Sequence, residues 1–149
     1  MTRSRIFSKR FPVPPQAIDM QGHVSNLAYV GWMQDVAIEH SAAAGWSMER
    51  YLELGAGWVV RSHFIEYFRP AFADEIVSVH TWVPRFDQRS TPRRYLFLRD
   101  GVELAGAETI WVFVDLATGR RRPIPPDLLE AFDPVPQDIE VRRALGLTT

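Results

Sequence analysis

The sequence predicts an α+β fold in which an antiparallel sheet is built around one long buried helix. Residues 27–44 are apolar on nearly every side, the pattern of a helix that lies inside a fold. From residue 58 onward the periodicity changes to β-rich runs separated by turn signals. No linker, internal repeat or low-complexity segment divides the 149 residues, a length suited to one domain.

Each element follows from local signals. Residues 5–13 carry Ile6, Phe7, Phe11 and Val13 and form a first strand that Pro14-Pro15 ends. The polar segment from Asp19 to Asn26 is a turn, and Ser25 or Asn26 is suited to cap the helix that follows. The helix spans residues 27–44 and stops at Gly45. Leu27, Val30, Met33, Ala37 and Ser41 lie on one side of it, and Tyr29, Trp32, Val36 and Ala43 on others. Residues 47–54 form a shorter amphipathic helix ending at Gly55. Strands then cover residues 58–68, 76–86, 94–99 and 102–116, with Asp100-Gly101 as the hairpin turn. The expected order is therefore one strand, one helix and an antiparallel meander of four strands. The core spans residues 5–126 and a short tail, 127–149, holds a helix at 127–132. One helix cannot cover such a sheet and also protect its edges, so a second copy pairing edge to edge is expected.

Composition narrows the function classes. Hydrophobic residues make up 46% and charged residues 23%, enough for a core that needs no metal or disulfide staple. A net charge of −1 gives no whole-molecule attraction to nucleic acid or to a membrane surface. The absence of cysteine removes disulfides, thiolate nucleophiles and zinc–thiolate sites. Residues 1–10 are basic but lack the apolar stretch of a secretory signal, and no run of about 18 apolar residues occurs. The expectation is a soluble cytoplasmic protein. His23, His40, His63 and His80 show no metal-binding spacing, and neither G-x-S-x-G nor a Gly-rich phosphate loop is present. No metal and no cofactor is expected.

The most informative stretch runs from Asp19 to Tyr29. A carboxylate stands four residues before His23, in a Gly-containing loop that feeds a helix N-terminus. Such a terminus offers unpaired N–H groups and a positive dipole end that can polarise a carbonyl and hold an oxyanion. A neighbouring carboxylate can then serve as nucleophile or as general base toward water, although an Asp here can also simply cap the turn. His23 either orients Asp19 or ties down the loop, and Asn26 caps the helix or holds the loop. Asp35 and Glu39 share a helix face and either border a cleft or meet partners at a subunit contact. Arg85, Arg89, Arg93 and Arg94 gather around one strand turn, where they either bind a polyphosphate or form a solvated turn. Arg120 to Arg122 read as a solvated group. Trp32, Trp46, Trp58 and Trp111 either shape an apolar pocket or fill the core.

At Asp19-Met20-Gln21-Gly22-His23-Val24-Ser25-Asn26-Leu27-Ala28-Tyr29 the chain resembles the hydroxybenzoyl-CoA thioesterase-like branch of the hot-dog superfamily. That branch reads Asp, two residues, Gly or Gln, His-Val-Asn-Asn, two residues, Tyr. Tyr67-Phe68-Arg69-Pro70-Ala71 and Asp74-Glu75-Ile76 extend the likeness over residues 10–126. The resemblance implies a five-stranded antiparallel sheet wrapped around the long central helix, with active sites at a dimer interface. It implies hydrolysis of an acyl-CoA by a homodimer or homotetramer, with Asp19 as the catalytic carboxylate and His23 and Asn26 as motif residues. Backbone N–H groups at Leu27, Ala28 and Tyr29 would hold the oxyanion, and Arg89 and Ser90 would touch the CoA. Ser25 stands where the family has the first Asn of its pair, which bears on the hydrogen bonding of the loop. Two other readings stay open: a hydratase or dehydratase using His23 with Asp35 or Glu39, and a non-catalytic acyl-CoA-binding module.

Overall fold

A computed structural model describes residues 5–148; residues 1–4, the start of the basic N-terminal stretch, and residue 149 lie outside that range. Strand β1 (Phe7–Pro12) is followed by a 3-10 turn at Pro15–Ala17, helix α1 (Asn26–Ala43) and helix α2 (Met48–Leu54). Strands β2 (Ala56–Tyr67), β3 (Ile76–Trp82), β4 (Ser90–Arg99) and β5 (Val102–Asp115) come next, then helices α3 (Pro126–Ala131) and α4 (Asp138–Ala144). The five strands form one antiparallel sheet in the order β1-β3-β4-β5-β2. This is the hot-dog arrangement, with α1 as its sausage.

The strands differ from the expected four-strand meander in one respect. β3, β4 and β5 do run as a meander, but β2 pairs with β5 and closes the far edge of the sheet. Local hairpin signals could not show this, because the β2–β3 connection crosses the sheet instead of turning back on it. Asp100 (φ 48°) and Gly101 (φ 75°) form the predicted tight turn, where both positions need positive φ. β4 begins at Ser90, four residues before the expected start at Arg94, although Pro92 lies within it. Proline is tolerated because β3 pairs with β4 only as far as Trp82 opposite Arg94, so the Pro92 nitrogen faces no neighbouring strand there.

α1 packs one face on the sheet. Tyr29, Met33, Val36, Ala37, His40 and Ser41 recur at helical spacing and are buried. Tyr29, Met33 and Val36 meet Val77, Val79, Tyr95, Phe97 and Leu104 in the main core. The expectation that α1 is enclosed all round is corrected within one chain: Leu27 is 83% exposed, Ile38 40%, and Gln34 and Asp35 are also open. The apolar residues on that outer face leave the helix poorly amphipathic. Ser25 is the N-cap, its Oγ accepting from the Ala28 N–H at 3.2 Å. Gly45 (φ 93°) follows the last turn as predicted.

The C-terminal segment adds a layer that its short, proline-rich sequence did not suggest. Val135 and Val141 are buried with Trp82, Leu96 and Leu98 on the outer face of β3 and β4. This explains why β4 is buried on both faces and does not alternate. Ion pairs of Arg142 with Glu103 (2.6 Å) and of Arg94 with Asp138 (2.8 Å) border this contact.

Candidate active site

The Asp19 loop is a closed, hydrogen-bonded turn. Ile18 and Val24 form an antiparallel bridge, the Asp19 N–H donates to the His23 carbonyl (2.9 Å), and Gly22 N–H donates to the Asp19 carbonyl (3.1 Å). Gly22 has φ 86°, which only a residue without a Cβ adopts at no steric cost. The Gln21 N–H donates to Asp19 Oδ1 (2.8 Å), while Asp19 Oδ2 stands 3.6 Å from His23 Nδ1. Asp19 therefore does act as a turn residue through one oxygen, while its other oxygen faces His23. Its side chain is 31% exposed and that of His23 is 34% exposed, so both are reachable.

Two neighbours hold the loop against the helix. The Val24 N–H donates to the Ala71 carbonyl and the Ser25 N–H to the Ala17 carbonyl, each at 2.8 Å. This gives a physical reason for the Tyr67 to Ala71 segment: it buttresses the loop, and Tyr67 meets the buried Tyr29 ring edge-on at 5.3 Å. Burial pushes the Tyr29 hydroxyl up to about 12, so it stays neutral and cannot serve as a base.

At the helix start, Asn26 is the first helical residue and exposed, leaving Ser25 as the cap. Of the three expected oxyanion amides, the Ala28 N–H is already engaged by Ser25, through both its carbonyl and its Oγ at 3.2 Å. The Leu27 N–H carries no hydrogen bond to a described residue. Tyr29 lies a position further in, with its ring in the core.

Other expected groupings do not form within the chain. Phe68 N–H reaches the Leu104 carbonyl near the Asp19 loop, whereas Ser90 pairs with Val112. Leu104 and Val112 are separated along β5 by roughly 26 Å at the usual strand rise, so Arg89 and Ser90 lie at the other end of the sheet. The arginine cluster is dispersed. Arg89 is exposed, Arg85 pairs with Asp87 (3.4 Å), Arg94 pairs with Glu108 (2.9 Å) and Asp138, and Arg93 is buried. Strand alternation from Ser90 onward sends Arg93 and Arg94 to opposite faces, so no four-arginine phosphate patch exists. Glu39 is held by Lys9 at 2.9 Å and Asp35 is exposed in the third turn of α1, so neither converges with His23.

A cavity of about 250 Å³ lies at that far end, between the C-terminal half of α1, α2 and the sheet. Trp46, Trp58 and Trp111 line it, while Trp46, 3% exposed, and Trp58 also pack in a core cluster with Phe113, so both alternatives hold. Trp32 does not line it; it packs on Phe11, Tyr29 and Phe97 near the Asp19 loop. Sequence reasoning did not identify a hydrogen-bonded row beside this cavity. Ser41 Oγ contacts Tyr51 Oη at 2.8 Å, and the Trp58 indole N–H donates to Tyr51 Oη at 3.0 Å. Burial raises the Tyr51 pKa, against the opposing effect of these bonds. The signal was present in Ser41, a hydroxyl on the buried side of an apolar helix.

Comparison with known proteins bears on this geometry. A protein of Aquifex aeolicus matches with a TM-score of 0.79 at 23% identity over 85% of this chain and 99% of its own. A putative oleoyl thioesterase of Lactobacillus plantarum gives 0.81 at 23% identity, over 85% of this chain but only 50% of its own. A 4-hydroxybenzoyl-CoA thioesterase variant, complexed with 4-hydroxybenzoyl-CoA, gives 0.79 at 18% identity over 87% of this chain and 100% of its own. These likenesses show the fold. No curated protein sequence matches. The family model described as thioesterase-like superfamily matches residues 13–132, which include the Asp19 loop, α1 and the whole sheet from β2 to β5. The chain belongs to the thioesterase-like superfamily, a family of thioester hydrolases with the hot-dog fold.

Proposed function

We propose that the protein hydrolyses an acyl-CoA to the free acid and CoA, with Asp19 as the catalytic carboxylate. The observation that carries this reading is the Asp19 turn, pinned by backbone hydrogen bonds against the N-terminus of α1, with one carboxylate oxygen left free of the backbone. In the general-base form, Asp19 Oδ2 takes a proton from water as the oxygen attacks the thioester carbonyl. The charge developing on the carbonyl oxygen is met by the α1 terminus, where the Leu27 N–H is open and the dipole is positive. Collapse breaks the C–S bond, and the CoA thiolate takes up the proton. In the nucleophilic form the Asp19 oxygen itself attacks, and water then cleaves the mixed anhydride. His23, whose Nδ1 contacts the Val24 carbonyl at 3.3 Å and lies 3.6 Å from Asp19 Oδ2, is held by the loop beside the carboxylate.

The functional unit of this reading is a homodimer. The cavity borders Gln34 to Ser41 of α1, about 12 to 22 Å along the helix from Asn26, and no residue of the Asp19 loop lines it. One chain's cavity therefore does not reach its own Asp19. The β2 edge exposes Val59, Val60, Phe64 and Tyr67. A two-fold axis at that edge sets one α1 antiparallel to the other, and so brings one chain's Asp19 toward its partner's cavity and Arg89. The test is thiol release from aryl-, short- and long-chain acyl-CoAs by the wild-type and Asp19→Asn proteins. Hydrolysis of at least one by wild type, with loss in Asp19→Asn, is expected. No hydrolysis across the panel, or an unimpaired variant, overturns it.

A further inference from the structure

Arg93 is a buried charge that the proposed chemistry leaves unused. It is 5% exposed and lines the cavity. Its Nη1 donates to His40 Nδ1 at 2.8 Å and to Thr81 Oγ1 at 3.2 Å, and its Cζ lies 5.7 Å from the Phe132 ring centre. Guanidinium only donates, so His40 Nδ1 must accept, which makes His40 neutral with its proton on Nε2. All three partners are thus uncharged. Among the described residues no carboxylate pairs with Arg93, whereas Arg94, on the other face of the strand, has two. Burial holds the Arg93 pKa below the ordinary arginine value, with only tyrosines opposing. A guanidinium withdrawn from water without a counter-charge is costly, and an anion brought to it recovers that cost.

The free side of the group has the geometry of a receptor. Nε and Nη2 make no hydrogen bond to a described residue, and together they form the edge of the fork that takes both oxygens of a carboxylate. The nearby hydroxyls of the cavity are committed: Ser41 to Trp46 and Tyr51, Thr91 to the Arg85 carbonyl. Trp46, Trp58, Phe86 and Trp111 supply apolar walls. The cavity volume of about 250 Å³ exceeds the ~150 Å³ that holds a benzene ring, leaving room for a ring or short chain with one polar end.

We propose that this cavity holds an acyl group whose far end carries a carboxylate, paired side-on with Arg93. The substrate is then the mono-CoA thioester of a dicarboxylic acid with a short aliphatic or aromatic body. This rests on the reading that the cavity takes the acyl group of a thioester cleaved at Asp19, and the experiment separates the two. Phenylacetate and its uncharged isostere phenylacetamide are titrated calorimetrically into the full-length wild type. The acid is expected to bind at least tenfold more tightly, with the difference lost in Arg93→Met and partly kept in Arg93→Lys. Equal binding of acid and amide, or none of either at millimolar concentration, overturns the anion site, even if Arg93→Met fails to fold. Adipoyl-CoA and hexanoyl-CoA are then compared as substrates, and a kcat/KM at least tenfold higher for adipoyl-CoA is expected. Equal rates on both overturn the carboxylate preference and leave the hydrolase reading intact. Carboxylate-selective binding with no hydrolysis of these two or of any acyl-CoA in the wider panel overturns the hydrolase reading and keeps the anion site.

Discussion

In the proposed reaction the Asp19 carboxylate has two jobs with separable chemistry. Oδ1 accepts the Gln21 N–H and closes the turn, a bond that the amide oxygen of an Asn also makes. Asp19→Asn is therefore expected to keep its thermal midpoint while kcat falls by about 10²-fold or more, the usual contribution of a positioned base. Asp19→Ala adds a loss of stability to the loss of rate, which scanning calorimetry on both variants distinguishes. His80 gives a pH effect remote from the site. It contacts Ser8 Oγ (2.6 Å) and Ser78 Oγ (3.1 Å), tying β1 to β3, and burial lowers its pKa. With the folded value depressed, the unfolded chain takes up the proton first. Its stabilising contribution is present above the ordinary value of 6.5 and is lost as pH falls through the folded value. The thermal midpoint of His80→Gln is expected to fall less than that of wild type between roughly pH 7 and pH 5. A parallel slope for the two proteins counts against this account.

At the scale of elements, the Ser25 cap links stability to the site. Its Oγ engages the Ala28 N–H, and its backbone N–H binds the Ala17 carbonyl. Ser25→Ala is expected to cost about 1 kcal/mol, read from urea denaturation, and to loosen the helix start where the oxyanion would sit. Ser25→Asn, itself a good cap, should recover most of that stability. α4 belongs to the fold for a different reason: Val141 is fully buried on the outer face of β3 and β4. Val141→Asp places a charge in that contact and is expected to lower the thermal midpoint by several degrees, at about 2–4 °C per kcal/mol for a chain of this size. Hydrolysis by the protein that remains folded should be little affected, since this face lies away from Asp19.

At the scale of the molecule, the separation between Asp19 and the aromatic cavity makes a strong demand. If each site takes its carboxylate from one chain and its acyl pocket from the other, damage on different chains can be complemented. Asp19→Asn and a cavity-blocking Ala37→Trp should each be inactive alone. Their refolded mixture should recover about a quarter of wild-type activity, because half the dimers are mixed and each has one intact site. No recovery in a mixture shown to exchange subunits would mean that one chain builds its own site. Phe64→Lys, on the exposed β2 edge, should weaken the proposed dimer in sedimentation and reduce activity with it.

By itself the sequence determined the order of elements from β1 to α3, the turn at Asp100-Gly101, the stop at Gly45 and the Asp19 turn before α1. All of these rest on contacts between residues near in the chain. Tertiary structure alone decided that β2 sits beside β5, that Pro92 lies inside a strand and that α4 is part of the core. It also decided that Arg93 and Arg94, adjacent in sequence, part to opposite faces, one buried beside an aromatic cavity and the other ion-paired at the surface. Such facts depend on which distant segments pack together, and local propensity carries no information about the far side of a strand. Asp19 closes the turn through Oδ1, and the structure leaves Oδ2 free of the backbone, so one carboxylate serves the turn and still has an oxygen to spare.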